Sequence, residues 1–230
     1  MKRIGLIGGV SWNSTIEYYR IINETVANRL KGFHSAHLLL YSVDFEEIIY
    51  SQNNEDWKSV AVTLSEAGAA LENAGAEFFA ICSNTMHWVA GAVAVKLNIP
   101  LLHIVDVLGC AARERKLSKL GLLGTKFVMQ KGFYRKKLKE DFNINAIVPL
   151  ENEQDVVNRI IYDELCHGEI NDTSRQYCLE IIDSLKRRDA EGIILGCTEL
   201  PLLIRPADAD VQIFDTTKLH AEGIANKALS

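Results

Sequence analysis

Short apolar, β-branched runs alternate with longer stretches of helical periodicity along the chain, and this alternation limits the fold more than any other feature. Strand patterns fall at 4–7, 37–43, 77–81, 101–104, 120–123, 145–148, 192–195 and 211–214. Helical patterns lie at 14–30, 55–74, 85–97, from the fourth strand to about 115, at 131–141, 151–166 and 173–188, and from 216 onward. Strands separated by helices pair in parallel, because the helix carries the chain back across the sheet. The predicted class is α/β, with helices on both sheet faces and chemistry at the carboxyl ends of the strands.

The chain also repeats itself. Ile4-Gly5-Leu6-Ile7-Gly8-Gly9 is echoed by Leu120-Gly121-Leu122-Leu123-Gly124-Thr125, an offset of 116. Gly75 to Thr85 is echoed by Arg188 to Thr198, and Ser83 falls on Cys197 at an offset of 114. Two echoes at nearly one offset predict two pseudo-symmetric, Rossmann-like parallel-sheet domains with the active site in the cleft between them. No Pro/Gly/Ser-rich linker separates the halves. The first domain is expected over 1–102 plus 209–230, with the closing helix crossing back to it, and the second over 103–208.

Composition narrows the function. The 230 residues carry 25 Lys and Arg against 30 Asp and Glu, a net charge of −5, and 48% are hydrophobic. That apolar content offsets chain entropy and excludes intrinsic disorder. No apolar run approaches the ~20 residues of a membrane span. The acidic balance gives no footprint for nucleic acid, and the basic run at 131–139 has the helical spacing of a solvated face. Five cysteines with no C-x-x-C pair argue against a disulfide framework and a zinc site. The first residues enter a strand pattern directly, without a signal-peptide core. A reducing, cytoplasmic setting with free thiols is expected.

Three strand ends carry polar residues. Gly5-x-x-Gly8-Gly9 misses the G-x-G-x-x-G spacing of a dinucleotide site, and the nearest acid at a strand end, Asp44, lies too far along. A tight turn that lets backbone approach a small ligand fits instead. Ser11, just beyond, is either a ligand contact or a helix N-cap. At the second strand end, Asn84 and Thr85 are either helix caps or part of a carboxylate site built with helix N-terminal amides. Cys82 and Ser83 are neighbours in an extended segment, so they point to opposite faces. At the third end, Cys197 follows Gly196 and precedes a helical pattern, where a helix dipole is expected to lower its pKa. Cys197 is therefore the best base or nucleophile in the chain. Cys110 and Cys178 fall within helical patterns and are expected in the core; Cys166 has no comparable setting. Ser83 and Cys197 on two sides of a cleft suit a reaction that takes a proton from one face of a carbon and returns one to the other.

The same residues carry a resemblance. Ile4-Gly5-Leu6-Ile7-Gly8-Gly9, Asn84-Thr85-Met86-His87, Leu122-Leu123-Gly124-Thr125 and Gly196-Cys197-Thr198-Glu199-Leu200 are similar to the PLP-independent aspartate/glutamate racemase family over essentially the whole chain, above all its aspartate or amino-acid racemase branch. The resemblance implies an isomerase that interconverts L- and D-aspartate and/or glutamate by two-base α-proton transfer, without metal, nicotinamide or pyridoxal cofactor, as a homodimer. Cys197 falls on the family's second catalytic cysteine. The first would stand immediately before Asn-Thr, where this chain has Ser83. An alcohol is a far weaker acid than a thiol, so either Ser83 works as a weak proton relay that a neighbour such as His87 would assist, which is the favoured reading, or Cys82 is recruited by a backbone shift, or the enzyme is handicapped on one face. By the same mapping Asn84, Thr85, Thr125 and Thr198 hold the substrate's α-carboxylate or amino group. The Val10 backbone and Ser11 approach from the glycine turn. Gln52 either reads the side chain or belongs to a surface loop. Glu199 meets the substrate ammonium or orients Cys197. Some relatives place a basic residue where Cys166-His167 stands; only His167 is available here. Two other functions suit the fold: a single-thiol lyase or isomerase, and a non-catalytic dicarboxylate or amino-acid binder.

Overall fold

The structure, a computed structural model, describes residues 1–230. It divides into two units, Met1–Ile104 with Thr217–Ser230, and Val105–Thr216. The first contains β1 (Ile4–Gly8), α1 (Trp12–Leu30), β2 (Leu38–Ser42), α2 (Phe45–Asn53), α3 (Trp57–Asn73), β3 (Phe78–Ile81), a 3-10 turn (Thr85–Val89) and α4 (Ala90–Ala94). From Ile104 the chain forms α5 (Ile104–Glu114), β4 (Lys119–Gly124), α6 (Lys126–Gln130), α7 (Phe133–Phe142), β5 (Asn145–Ile147) and α8 (Glu151–Arg159). A π-turn (Ile160–Glu164), α9 (Asp172–Arg187), β6 (Gly192–Gly196), α10 (Leu200–Leu203) and β7 (Gln212–Asp215) come next, and α11 (Thr216–Leu229) closes the first unit.

Every strand pair is parallel. The sheet orders are β2-β1-β3 and β5-β4-β6-β7. Burial follows from this arrangement, since crossover helices cover both faces of a parallel sheet. Along β1 and β3, residues alternate between two cores. Ile4, Leu6, Phe78 and Ala80 pack with Tyr18 and Ile22 of α1 and with Ala221 and Ile224 of α11. Ile7, Phe79 and Ile81 pack with Val60, Leu64, Ala67 and Leu71 of α3. Each such large side chain contributes about 1.5–3 kcal/mol. The helices start where polar caps allow. Asp44 accepts from Glu46 N–H at the head of α2, and Asp56 accepts from Ser59 N–H at the head of α3, both at 3.0 Å.

Several sequence expectations change in detail. The strand expected at 101–104 is a single bridge between Leu101 and Phe79. Phe79 donates to the Pro100 carbonyl (3.0 Å) and accepts from Leu102 (2.8 Å), and the chain then turns into α5 at Ile104. The helix expected at 131–141 is α7, which starts after Gly132 (φ 76°), and the short α6 before it was not expected. The one expected at 85–97 is a 3-10 turn and the short α4. The long helix expected to 166 gives way to the π-turn after Arg159. The first-domain segment expected from 209 begins instead at 217, because β7 pairs with β6 in the second unit. No helix is long and apolar enough to cross a membrane.

His220 ties α11 into the first unit. Its Nε2–H donates to the Leu102 carbonyl (2.9 Å), which leaves Nδ1 to accept from the Tyr18 hydroxyl (3.0 Å). Burial lowers its pKa to about 4. The unfolded chain takes up this proton near pH 6.5 and the folded chain does not, so the contribution is complete above pH ~6.5 and is lost as the pH falls towards 4. Thermal unfolding should therefore shift downward across this window. His220→Gln should be less stable at pH 7 but show a shallower decline, measured by circular dichroism melts at half-unit pH steps.

Candidate active site

In the first unit the expected residues gather after adjacent strands. Gly9 ends β1 in a left-handed conformation (φ 93°), and a Cβ there would collide with the Val43 carbonyl, so only glycine fits. Val10 and Ser11 come next, both buried. Ser11 occupies the N-cap of α1, but its hydroxyl makes no capping bond. Its carbonyl instead accepts from the Ser14 and Thr15 hydroxyls at 3.0 and 2.9 Å. β3 runs beside β1 and delivers Ser83, Asn84 and Thr85, all less than a tenth exposed. Asn84 sits at the N-cap of the 3-10 turn without a side-chain capping bond, which leaves the capping reading without support. Gln52 is not in a loop; it lies half-buried in α2, an element the sequence reading lacked although Asp44, Glu46 and Glu47 mark its start.

Alternation separates the two neighbouring residues at the end of β3. Cys82 packs among Ile4, Leu6, Tyr18 and Ile22, fully buried, and burial pushes its thiol far above the usual range. Ser83 lies outside that cluster, its Oγ 3.5 Å from Met86 N. His87 anchors this segment. Ile104 N–H donates to His87 Nε2 (3.2 Å), so Nδ1 carries the proton and donates to the Ser83 carbonyl (2.6 Å). Both ring nitrogens are engaged with backbone. His87 therefore holds the Ser83 main chain and is not placed as a base for its hydroxyl, contrary to the sequence expectation.

In the second unit β4 and β6 are neighbours, and Gly124 pairs with Gly196 at their ends. A Cβ on Gly124 would lie 2.8 Å from the Gly196 carbonyl, so the absence of side chains lets these two strand ends close up. Thr125 follows β4 and caps α6, accepting from Val128 N–H (3.3 Å). Cys197, Thr198 and Glu199 follow β6. The Cys197 thiol donates to Glu199 Oε2 (3.2 Å), and the Thr198 hydroxyl donates to the same oxygen (2.7 Å). Cys197 and Glu199 are both buried. Burial and the adjacent Glu199 carboxylate hold the Cys197 pKa well above its usual value. The expected lowering by a helix dipole is overturned: α10 has only four residues and begins at Leu200, and desolvation beside an anion outweighs it.

The sequence reading missed Cys166. The turn Leu165–His167 packs on α10, and burial followed by the charge of Glu199 raises the Cys166 pKa to about 12. This contact is long-range and leaves no local signature. His167 is exposed. Cys178 is buried as expected, whereas Cys110 is exposed rather than part of the core.

Removing the Glu199 charge should acidify the Cys197 thiol. Alkylation of Cys197 by iodoacetamide, followed by mass spectrometry against the exposed Cys110, should be slow at pH 7 and rise with pH. Glu199→Gln should shift that rise to lower pH by about one unit or more, the size of one close charge interaction.

Residues 7–224 match the family described as Asp/Glu/Hydantoin racemase. The crystal structure of a candidate Asp/Glu racemase from Yersinia pestis is similar at a TM-score of 0.95, with 47% identity and 100% of both chains covered. That of an aspartate racemase homologue from Pyrococcus horikoshii OT3 has a TM-score of 0.87 and 35% identity, also covering 100% of both chains. A broad specificity amino-acid racemase from Bacillus subtilis (strain 168) is 23% identical over 234 residues, 99% of this chain and 98% of that protein. The chain thus belongs to the Asp/Glu/hydantoin racemase family.

Proposed function

We propose that the protein is an amino-acid racemase acting on aspartate and/or glutamate, with Cys197 serving one face of the α-carbon and Ser83 the other. One observation carries this reading: the two units end corresponding strands, β3 and β6, in a buried Ser83 and a buried Cys197. The reading asks both units to serve a single α-carbon. The racemase names of the relatives support it.

Cys197 rests as a thiol. Its proton passes along the 3.2 Å bond to Glu199, leaving a thiolate beside a neutral acid, so the charge opposing the thiolate disappears in the same step. The thiolate removes the α-proton of the L-enantiomer; a new S–H bond forms as Cα–H breaks. Ser83 O–H delivers a proton to the opposite face, its alkoxide is reprotonated from solvent, and Glu199 returns its proton to solvent, which restores the resting state. Running backwards, Ser83 must become a base, which an alcohol does poorly. Both net directions are slowed by this step, while exchange on the L side stays fast. Asn84, Thr85, Thr125 and Thr198 bind the carboxylate and amino groups, with Val10 and Ser11 at the glycine turn and Gln52 towards the side chain. No metal or organic cofactor enters the proposed chemistry.

Incubation with L-aspartate or L-glutamate in D₂O tests it. The α-proton signal should fade faster than optical rotation declines, and activity should survive EDTA and dialysis. Cys197→Ala should abolish exchange; retention of more than about a few per cent defeats the mechanism. Ser83→Cys should raise net racemisation by about tenfold, the low end of a general acid–base contribution. Cys82→Ala should lower stability and leave exchange in place. A dicarboxylate thermal shift without exchange would instead favour a binding protein. The single thiol among the two strand ends makes a one-base lyase or isomerase the second reading, marked by exchange without any inversion even in Ser83→Cys.

A further inference from the structure

The placement of Ser83 depends on its main chain. Its hydroxyl lies 3.5 Å from Met86 N–H, too long a bond to fix it firmly. Its N–H donates to the Ile81 carbonyl (2.9 Å) and its carbonyl accepts from His87 Nδ1–H (2.6 Å). The other face of the same ring holds a distant segment, since His87 Nε2 accepts from Ile104 N–H (3.2 Å). Ile104 ends the first unit, just before the chain passes into the second. A second histidine holds this segment two residues earlier: His220 donates to the Leu102 carbonyl and accepts from Tyr18. The His87 ring meets His103 at 4.4 Å and His220 at 5.8 Å between centroids, both in edge contacts.

The two backbone bonds of His87 require one protonation state, with the proton on Nδ1 and a lone pair on Nε2. A second proton makes Nε2 a donor that faces the Ile104 N–H donor, at a ring only 3% exposed. Two buried donors cannot satisfy each other, so the ring and Ile104 separate, and the Ser83 carbonyl loses its fixed partner. The titratable groups around the ring are His103, His220 with its Tyr18, and Cys82 at the end of β3. Charges on the neighbouring helices are paired: Glu17 and Glu24 with Arg20 on α1, Lys218 with Glu222 on α11, and Asp106 of α5 with Lys137.

We propose that His87, in its neutral form, is a positioning residue for the Ser83 side of the reaction, and that its protonation disengages that side while the Cys197 side continues to work. The proposal rests on the two-base reading given above.

Net inversion divided by solvent deuterium exchange, measured on L-aspartate or L-glutamate, isolates the Ser83 side, because both processes need Cys197 and only inversion needs Ser83. Ser83→Ala should lower this ratio by about tenfold or more, which sets the scale. His87→Leu removes both backbone bonds and should lower the ratio about tenfold, with exchange within about twofold of wild type, since small misplacements of a reacting group carry losses of this size. His87→Gln supplies a donor and an acceptor from one amide and does not titrate, so it should restore the ratio in mildly alkaline buffer. On acidification from about pH 8 to about pH 5.5, across the ordinary histidine range, the wild-type ratio should fall and that of His87→Gln should stay level. His103→Gln should keep the wild-type fall. Where circular dichroism shows His87→Leu unfolded, the pH behaviour of His87→Gln decides. A wild-type ratio in folded His87→Leu, a parallel loss of exchange and inversion in it, a wild-type ratio independent of pH, or a fall that persists in His87→Gln would each overturn the proposal. A wild-type ratio in Ser83→Ala would overturn the two-base reading itself, and this proposal with it.

Discussion

The parallel pairing of β1 and β4 on both of their edges governs where this molecule can place its polar groups. A strand flanked on both sides and covered by helices on both faces has nowhere to put a polar side chain, so β1 is buried at all five positions and β4 at five of six. Polar residues are displaced to the first positions beyond the strands. These ends have identical polarity in both sheets, so Gly9-Val10-Ser11, Ser83-Asn84-Thr85, Thr125 and Cys197-Thr198-Glu199 each gather at the carboxyl edge of their own sheet. The chemistry of the chain is thus a by-product of sheet direction before it is a matter of particular side chains.

Two cysteines at corresponding strands illustrate how little residue type decides. Cys82 faces the α1 and α11 side, surrounded by aliphatic carbon, and behaves as a small apolar residue. Cys197 is also buried, but its thiol donates to the Glu199 carboxylate. Burial disfavours the thiolate in both, and at Cys197 the neighbouring carboxylate adds to that penalty.

Much of this architecture was legible because it is written locally. The alternating patterns give the parallel α/β class, and the echo of Ser83 in Cys197 gives the paired strand ends. The side-chain alternation of an extended chain separates Cys82 from Ser83. What stayed illegible depends on distant neighbours. The raised pKa of Cys197 needs the surrounding core as well as Glu199; the engagement of His87 needs Ile104; the raised pKa of Cys166 needs its turn to pack on α10. The boundary at 217 depended on β7 finding an edge of β6. The helix expected over 151–166 failed for a local reason instead: the π-turn interrupts a pattern whose apolar period continues across it.

The discontinuity of the first unit has a consequence for the order in which the molecule assembles. Ala221, Ile224, Ala225 and Ala228 of α11 cover the face formed by Ile4, Leu6 and Phe78, and Lys2 N–H donates to the Ala228 carbonyl (2.7 Å). During synthesis the first sheet emerges early but lacks its final covering helix until the whole second unit has been made. The second unit, continuous from 105 to 216, meets no such delay and can complete its core first. A nascent chain stopped near 216 would carry a finished second unit beside an open apolar face, the kind of surface that chaperones retain and proteases find.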